Sequence, residues 1–228
     1  MKTMLMRLAA LAMAALVSAC ATPTKMAFQD DAPLKENSTP VLLMTATLKN
    51  NYKTGFQPKL NFVNVELAGA KNAAGRLNFT IDDKARLETN ALPNGNSYLL
   101  RLELKPGTYE IVGLTSMVQS FPIIASFFTP IHATVNVTES GVYYLGHVEA
   151  SVRERQGTEF KAGPSLPLID QAVAGASGGT FDVDISDAWA IDEAQFKSKF
   201  TVLNNVQVKK AILPPFDRAA AQQWWEAH

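Results

Sequence analysis

The chain has 228 residues, balances 21 lysines and arginines against 21 aspartates and glutamates, and contains one cysteine. A near-neutral chain lacks the basic footprint of a nucleic-acid binder. A single cysteine excludes an internal disulfide and a dithiol redox pair.

Lys2 and Arg7 precede Leu8–Val17, an uncharged apolar run. Ten residues of helix rise only about 15 Å, against a hydrocarbon core of about 30 Å, so the run is too short for an ordinary span. Residues 1–19 therefore read as a signal peptide and are set aside from fold reasoning. Val17-Ser18-Ala19-Cys20 places an aliphatic residue and two small residues before the cysteine, and this resembles the lipobox of bacterial lipoproteins. The resemblance implies that the Cys20 sulfur is diacylglycerylated, that the bond before it is cleaved, and that Cys20 anchors the mature chain to a lipid bilayer. Each buried CH₂ of such chains contributes roughly 0.8 kcal/mol, so two or three acyl chains hold durably. Ala21 follows where an aspartate would mark inner-membrane retention in Gram-negative lipoproteins, which points to the outer membrane and its periplasmic face. Without residues 1–19 the chain has 209 residues and a net charge of −2, because the leader carries Lys2 and Arg7 and no acid. That length suits one domain whose core holds without cross-links.

Residues 20–39 are polar, carry Pro23 and Pro33 and show no periodicity, and so predict a flexible tether with a span of roughly 25 Å. From Pro40 the pattern changes to short runs of period two. Leu42, Met44, Ala46 and Leu48 share one face; Val63, Val65 and Leu67 another; then come Leu77, Phe79 and Ile81. Tyr98, Leu100, Leu102 and Leu104 follow, with Arg101 and Glu103 on the opposite face. With no long helical pattern across residues 40–152, these runs predict a mainly β fold, an antiparallel β-sandwich over residues 40–213. Pro106-Gly107 suits the centre of a type II turn and predicts a hairpin across Leu102–Ile111. Together with the tyrosine pair of Val142-Tyr143-Tyr144-Leu145-Gly146, this stretch resembles carboxypeptidase regulatory-like and transthyretin-like sandwiches, and the domains of uncharacterised bacterial lipoproteins. Such folds host many functions, so the resemblance implies architecture only.

Phe121–Ile131 is the most apolar stretch after the leader, and Pro122 and Pro130 argue against a regular central strand. It reads either as a loop burying Phe127 and Phe128 over one end of the sandwich, or as an exposed partner- or lipid-binding patch. Alternation on both sides of Thr138–Gly141 predicts a second hairpin. Its register pairs Val137 with Val142 and sets His132 opposite His147, either as a solvated pair or as a weak candidate metal site or pH switch. Residues 153–179 form a long connection of the kind that is often functional, with Leu166, Leu168 and Ile169 expected to dock part of it. Its glycine run lacks the Lys-Ser/Thr of a phosphate loop.

Thr180–Ser186 predicts a strand with Phe181, Val183 and Ile185 inward. The spacing of Asp182, Asp184, Ser186 and Glu193 coincides with four EF-hand positions, but Asp187 stands where the turn needs glycine. Asp192-Glu193-Ala194-Gln195 reads as a helix-opening cap, with Phe196 and Phe200 on one face. Val202–Ile212 supplies a last strand, and residues 214–228 a short helix capped by Asp217, with Phe216, Ala220 and Trp224 in a stripe. G-x-S-x-G, H-E-x-x-H and H-x-x-E-H are all absent from the sequence. The expectation is therefore a non-enzymatic envelope lipoprotein without metal or cofactor. It would bind an envelope protein or glycan through the apolar stretch or the long connection. The alternative is an accessory subunit docking through its C-terminal aromatic helix.

Overall fold

The computed structural model describes residues 22–29, 39–70, 75–87, 95–164 and 169–227. The expected signal peptide, residues 1–19, and the expected lipid-attachment residue Cys20 lie outside them. The alternating runs form two facing sheets. One orders β1 (Thr22–Lys25), β4 (Arg76–Thr80), β3 (Lys59–Leu67), β6 (Gly107–Ser120) and β7 (Ile123–Val137). The other orders β10 (Val208–Lys210), β8 (Val142–Glu154), β2 (Val41–Asn50) and β5 (Asn96–Glu103), with β9 (Gly179–Ser186) also on β8. Leu42, Met44, Ala46, Leu48, Leu100 and Leu102 face Val63, Val65, Phe79, Ile111 and Phe127 across a continuous apolar core. This is the mainly β sandwich that period two predicts. The sheets are mixed, because β1 pairs β4, β2 pairs β8 and β10 pairs β8 in parallel.

Both expected hairpins are instead crossings between sheets. Lys105-Pro106 joins β5 of one sheet to β6 of the other, and Gly107 does not take a positive φ. Thr138–Gly141 likewise carries the chain from β7 to β8, so His132 and His147 lie in different sheets. The hairpin lies elsewhere: β6 and β7 pair from Gly107↔Val137 to Ser120↔Ile123, turning at Phe121-Pro122. Phe121–Ile131 is thus mostly strand, not loop. Pro130 is tolerated because β7 ends its sheet and because the register shifts there, between Ile111 and Gly113. A side chain at Gly113 would meet the Thr129 carbonyl at 2.4 Å and the Phe128 ring at 2.7 Å, so only glycine lets the strands close. In β8, Gly146 (φ +115) marks a register shift opposite Leu43/Thr45. The bulge turns Tyr144 outward and Leu145 and Val148 inward, breaking the strict alternation expected of Val142–Val148.

Three helices follow: α1 (Ile169–Val173), α2 (Trp189–Lys199) and α3 (Arg218–Ala227). α2 begins before Asp192, which is buried rather than a cap, and its Phe196 joins Phe200 over Val41, Leu43, Leu99 and Val142 on the outer face of the second sheet. α3 starts where predicted, with Asp217 accepting from the Ala220 N–H at 3.0 Å. It docks on its own domain. Trp224 stacks on Phe128 at 5.3 Å and lies 4.9 Å from the His132 ring, while Phe216 meets Phe160 edge-on. Arg218 binds Asp182 at 2.6 Å and Glu159 at 3.3 Å. The expected last strand over Val202–Ile212 contracts to the three residues of β10.

The tether expectation fails at its start. Thr22–Lys25 forms β1, and Met26 and Ala27 are buried. The cause is Arg101, which faces away from the main core as expected yet is wholly buried. Its Nε donates to the Ala27 carbonyl at 2.9 Å, and its Nη1 to the Leu99 carbonyl and Asp82 at 3.2 Å. Nη2 donates to the second Asp82 oxygen at 2.5 Å, and the guanidinium lies 4.3 Å from the Phe200 ring centre. The Ala27 N–H donates in turn to the Arg101 carbonyl at 2.9 Å. Every side of the buried charge is partnered, so removing it strands Asp82 and a buried carbonyl. Arg101→Leu is expected to lower stability by about 3 kcal/mol, read as a reduced urea midpoint, because breaking a buried pair leaves uncompensated polar groups.

Candidate functional site

The β6–β7 hairpin carries its apolar alternation out to the turn, where no second layer remains to cover it. Phe121 is fully exposed at the turn and Ile124 is 55% exposed. The long connection comes back to the same place. The Ile124 N–H donates to Asp170 Oδ2 at 3.0 Å, fixing the first turn of α1 beside the hairpin. Ile169, expected to dock, is instead 80% exposed there, and Val173 is partly exposed one turn on. Leu166 and Leu168 lie outside the described residues. The apolar stretch and the long connection, two separate candidates in sequence, are thus joined at the Ile124–Asp170 bond, with Phe121, Ile124, Ile169 and Val173 all exposed on the two segments it links.

The patch sits on a rigid base. The buried Gln171 amide, oriented with its nitrogen toward the Ser126 carbonyl (3.0 Å) and its oxygen toward the Ser126 N–H (3.1 Å), pairs α1 with β7 like one more strand residue. Further along, the Phe128 N–H donates to the Ala162 carbonyl and the Ala162 N–H to the Gly179 carbonyl, both at 2.8 Å. Fully buried Asn50 ties the end of β2 to the same region. Its Nδ2 donates to the Phe56 and Ala174 carbonyls, and its Oδ1 accepts from the Tyr52 and Lys53 N–H groups. The backbone beneath the apolar side chains is therefore hydrogen-bonded and the side chains themselves are not covered. An apolar cluster held rigid in water contributes nothing to the fold and favours burial against another surface.

The other sequence candidates go elsewhere. His132 (φ +49) sits at the β7 register break, with Nδ1 2.8 Å from Glu110. Asp182 pairs with Arg153 and Arg218, Asp187 with Lys210, and Glu193 with Lys197. Asp182 and Asp184 lie in β9 and Glu193 in α2, so the EF-hand spacing does not form a loop. Among the described residues, no group of three or more His, Cys, Asp or Glu is placed to hold a metal.

One polar cluster has no motif in the sequence. On the outer face of the second sheet, the Tyr144 hydroxyl donates to Asp192 Oδ2 at 2.5 Å, and His147 Nδ1 lies 3.5 Å from the same oxygen. His147 Nε2 is 3.0 Å from the Thr47 hydroxyl, itself 2.9 Å from that of Ser97. Burial works to raise the Asp192 pKa, but its hydrogen bonds, first from His147 and also from Tyr144, hold it below the ordinary carboxylate value. Burial, and then the Asp192 charge, push the Tyr144 phenol well up, so it remains a donor. Carboxylate, imidazole and hydroxyl stand in the order of an acyl-transfer relay. However, Thr47 lies in β2, which is paired on both sides, so its ladders occupy the neighbouring backbone N–H groups that would have to stabilise an oxyanion. The cluster fastens α2 to the sheet. Only the tyrosine pair hinted at it, because its members come from four separate segments.

The chain matches no protein-family model, no curated protein and no solved structure in three comparisons.

The lowered Asp192 pKa means that its ionised form stabilises the fold above the ordinary carboxylate range, near pH 4, and that this contribution disappears as pH falls through the lowered value. Asp192→Asn is expected to cost about 1–3 kcal/mol at neutral pH. In urea unfolding repeated down to strongly acid pH, the gap between the variant and the natural protein should shrink.

Proposed function

We propose that this protein is a lipid-anchored, non-catalytic binding module of the bacterial cell envelope. It is attached through acylated Cys20 at the periplasmic face of the outer membrane and grips a protein partner with the patch around Phe121. The observation that carries this reading is the convergence of the hairpin turn and α1. Phe121, Ile124 and Ile169 stand exposed on backbone fixed by Asp170, Gln171 and Asn50. A preformed apolar surface binds without first having to be ordered. Aliphatic side chains around one phenylalanine suit a protein surface better than a glycan, which needs polar groups to satisfy its hydroxyls. The lipobox VSAC supports the anchor, and the near-neutral charge agrees with a partner held by apolar contact rather than by electrostatic steering.

The C-terminal helix is given no docking role in this reading, because its aromatic stripe is already occupied. Phe216 and Trp224 pack on Phe160 and Phe128 of the same chain, and Ala221 is buried. Catalysis is likewise not part of the reading, since Thr47 at the end of the Asp192–His147–Thr47 relay sits between two paired neighbours of β2.

A photo-crosslinking amino acid placed at Ile169 in intact cells is expected to capture one defined protein. That adduct should disappear in the Phe121→Ser/Ile124→Ser variant. Each side chain contributes roughly 2 kcal/mol when buried at an interface, so each substitution should weaken binding on the order of 30-fold. Both positions are exposed, so thermal unfolding should shift little. Capture that is unchanged in the variant, with the fold intact, would refute the patch.

A further inference from the structure

We infer that the molecule stands upright on its membrane, with the rim formed by Leu67, Lys105 and Thr138–Gly141 resting on the lipid surface and the Phe121 patch at the far end. The inference rests on the Cys20 anchor proposed above; what it adds is the direction in which that anchor points the sandwich. β1 runs parallel to β4 with Thr22 opposite Leu77, and the ladder continues through Val65 to Ile111. The direction Thr22→Lys25 therefore coincides with Ile111→Phe121. The amino end of β1, at Thr22, thus faces Leu67 and Gly107, the rim at which both crossings between sheets also lie.

Cys20 precedes Thr22 by two residues, a reach of at most about 7 Å. A lipid on its sulfur thus holds that rim within one side-chain length of the headgroups. The ten residues from Ile111 to Phe121 rise roughly 33 Å as strand, so the apolar patch is carried to the opposite end of the sandwich. The rim has little to attract it to lipid by charge. Lys209 pairs with Glu139, and Lys105 lies near Glu103 in sequence. Acyl chains must then supply the attachment, with Leu67 the one exposed large apolar side chain at this rim among the described residues. A partner that grips Phe121 has its contact surface several nanometres into the aqueous space, out of reach of the headgroups.

The anchoring sulfur is the chain's only cysteine, so a thiol introduced elsewhere can be labelled selectively in the acylated protein. Ser140→Cys marks the rim and Ser120→Cys the far end, both at exposed positions. The full acylated chain, carrying an environment-insensitive fluorophore at either site, is bound to phosphatidylethanolamine–phosphatidylglycerol vesicles containing a headgroup nitroxide lipid. The label at residue 140 is expected to be quenched several-fold more than that at 120. Inserting a twenty-residue Gly-Ser linker between Ala21 and Thr22 should abolish the difference. Mass spectrometry of Cys20 separates the two readings. Equal or reversed quenching with Cys20 acylated overturns the orientation and leaves the anchor standing. A difference that survives the linker refutes the short lead as its cause. An unmodified Cys20 overturns both.

Discussion

A single buried guanidinium binds together parts of the chain that the sheets alone would leave apart. Arg101 belongs to β5, receives Asp82 from the turn after β4, holds the Ala27 carbonyl of the N-terminal segment, and carries the Phe200 ring from the end of α2 against its face. Burial depresses the Arg101 pKa, and the hydrogen bond and charge of Asp82 oppose that. A buried cation of this kind is tolerated because its partners are fixed and nearly complete, and its loss would orphan several of them together. Its larger effect is specificity, since only one arrangement of the four segments brings these partners together around it.

The second sheet is closed in the same manner on its outer face. Leu43, Leu99 and Val142 make that face apolar toward one end, where Phe196 and Phe200 cover it. Toward the other end it becomes polar through Thr47, Ser97 and His147, and buried Asp192 of α2 meets it at the transition. The first sheet is covered more sparsely, by α3 with Trp224 over Phe128 and His132. Both sheets therefore have an outer layer along their middle, and the β6–β7 turn extends beyond either one. The exposed apolar cluster follows from that geometry.

The inward faces of the strands were legible in the sequence because burial on one side imposes period two. Leu42, Met44, Ala46 and Leu48 show it, and so do Tyr98, Leu100 and Leu102. Which strands pair was not legible, because Pro106-Gly107 and Thr138–Gly141 serve equally well to turn a chain back in its own sheet or to pass it to the facing one. Local chemistry favours a turn; the choice of sheet is made by the long pairing of β6 with β7, a tertiary preference. Pro130 misled for a related reason, since proline excludes a central strand and not an edge. Asp192 looked like a cap because D-x-x-Q matches one, whereas its position beside Tyr144 and His147 depends on the distant strand β8. Of the candidate site, the sequence exposed the two halves, the apolar stretch and the long connection. It gave no sign that Asp170 would join them, or that Ile169 would point outward.

The parallel pairing of β1 with β4 also has a mechanical meaning. A pull on residues before Thr22 acts along the strand axis, so the four paired positions from Thr22↔Leu77 to Lys25↔Thr80 are loaded in shear and must yield together rather than one after another. Behind them, the Ala27–Arg101 bonds take up the load and pass it into β5, the end strand of the opposite sheet. A protein dragged by its amino-terminal end would keep β1 seated under tension that would unzip an edge strand peeled from the side.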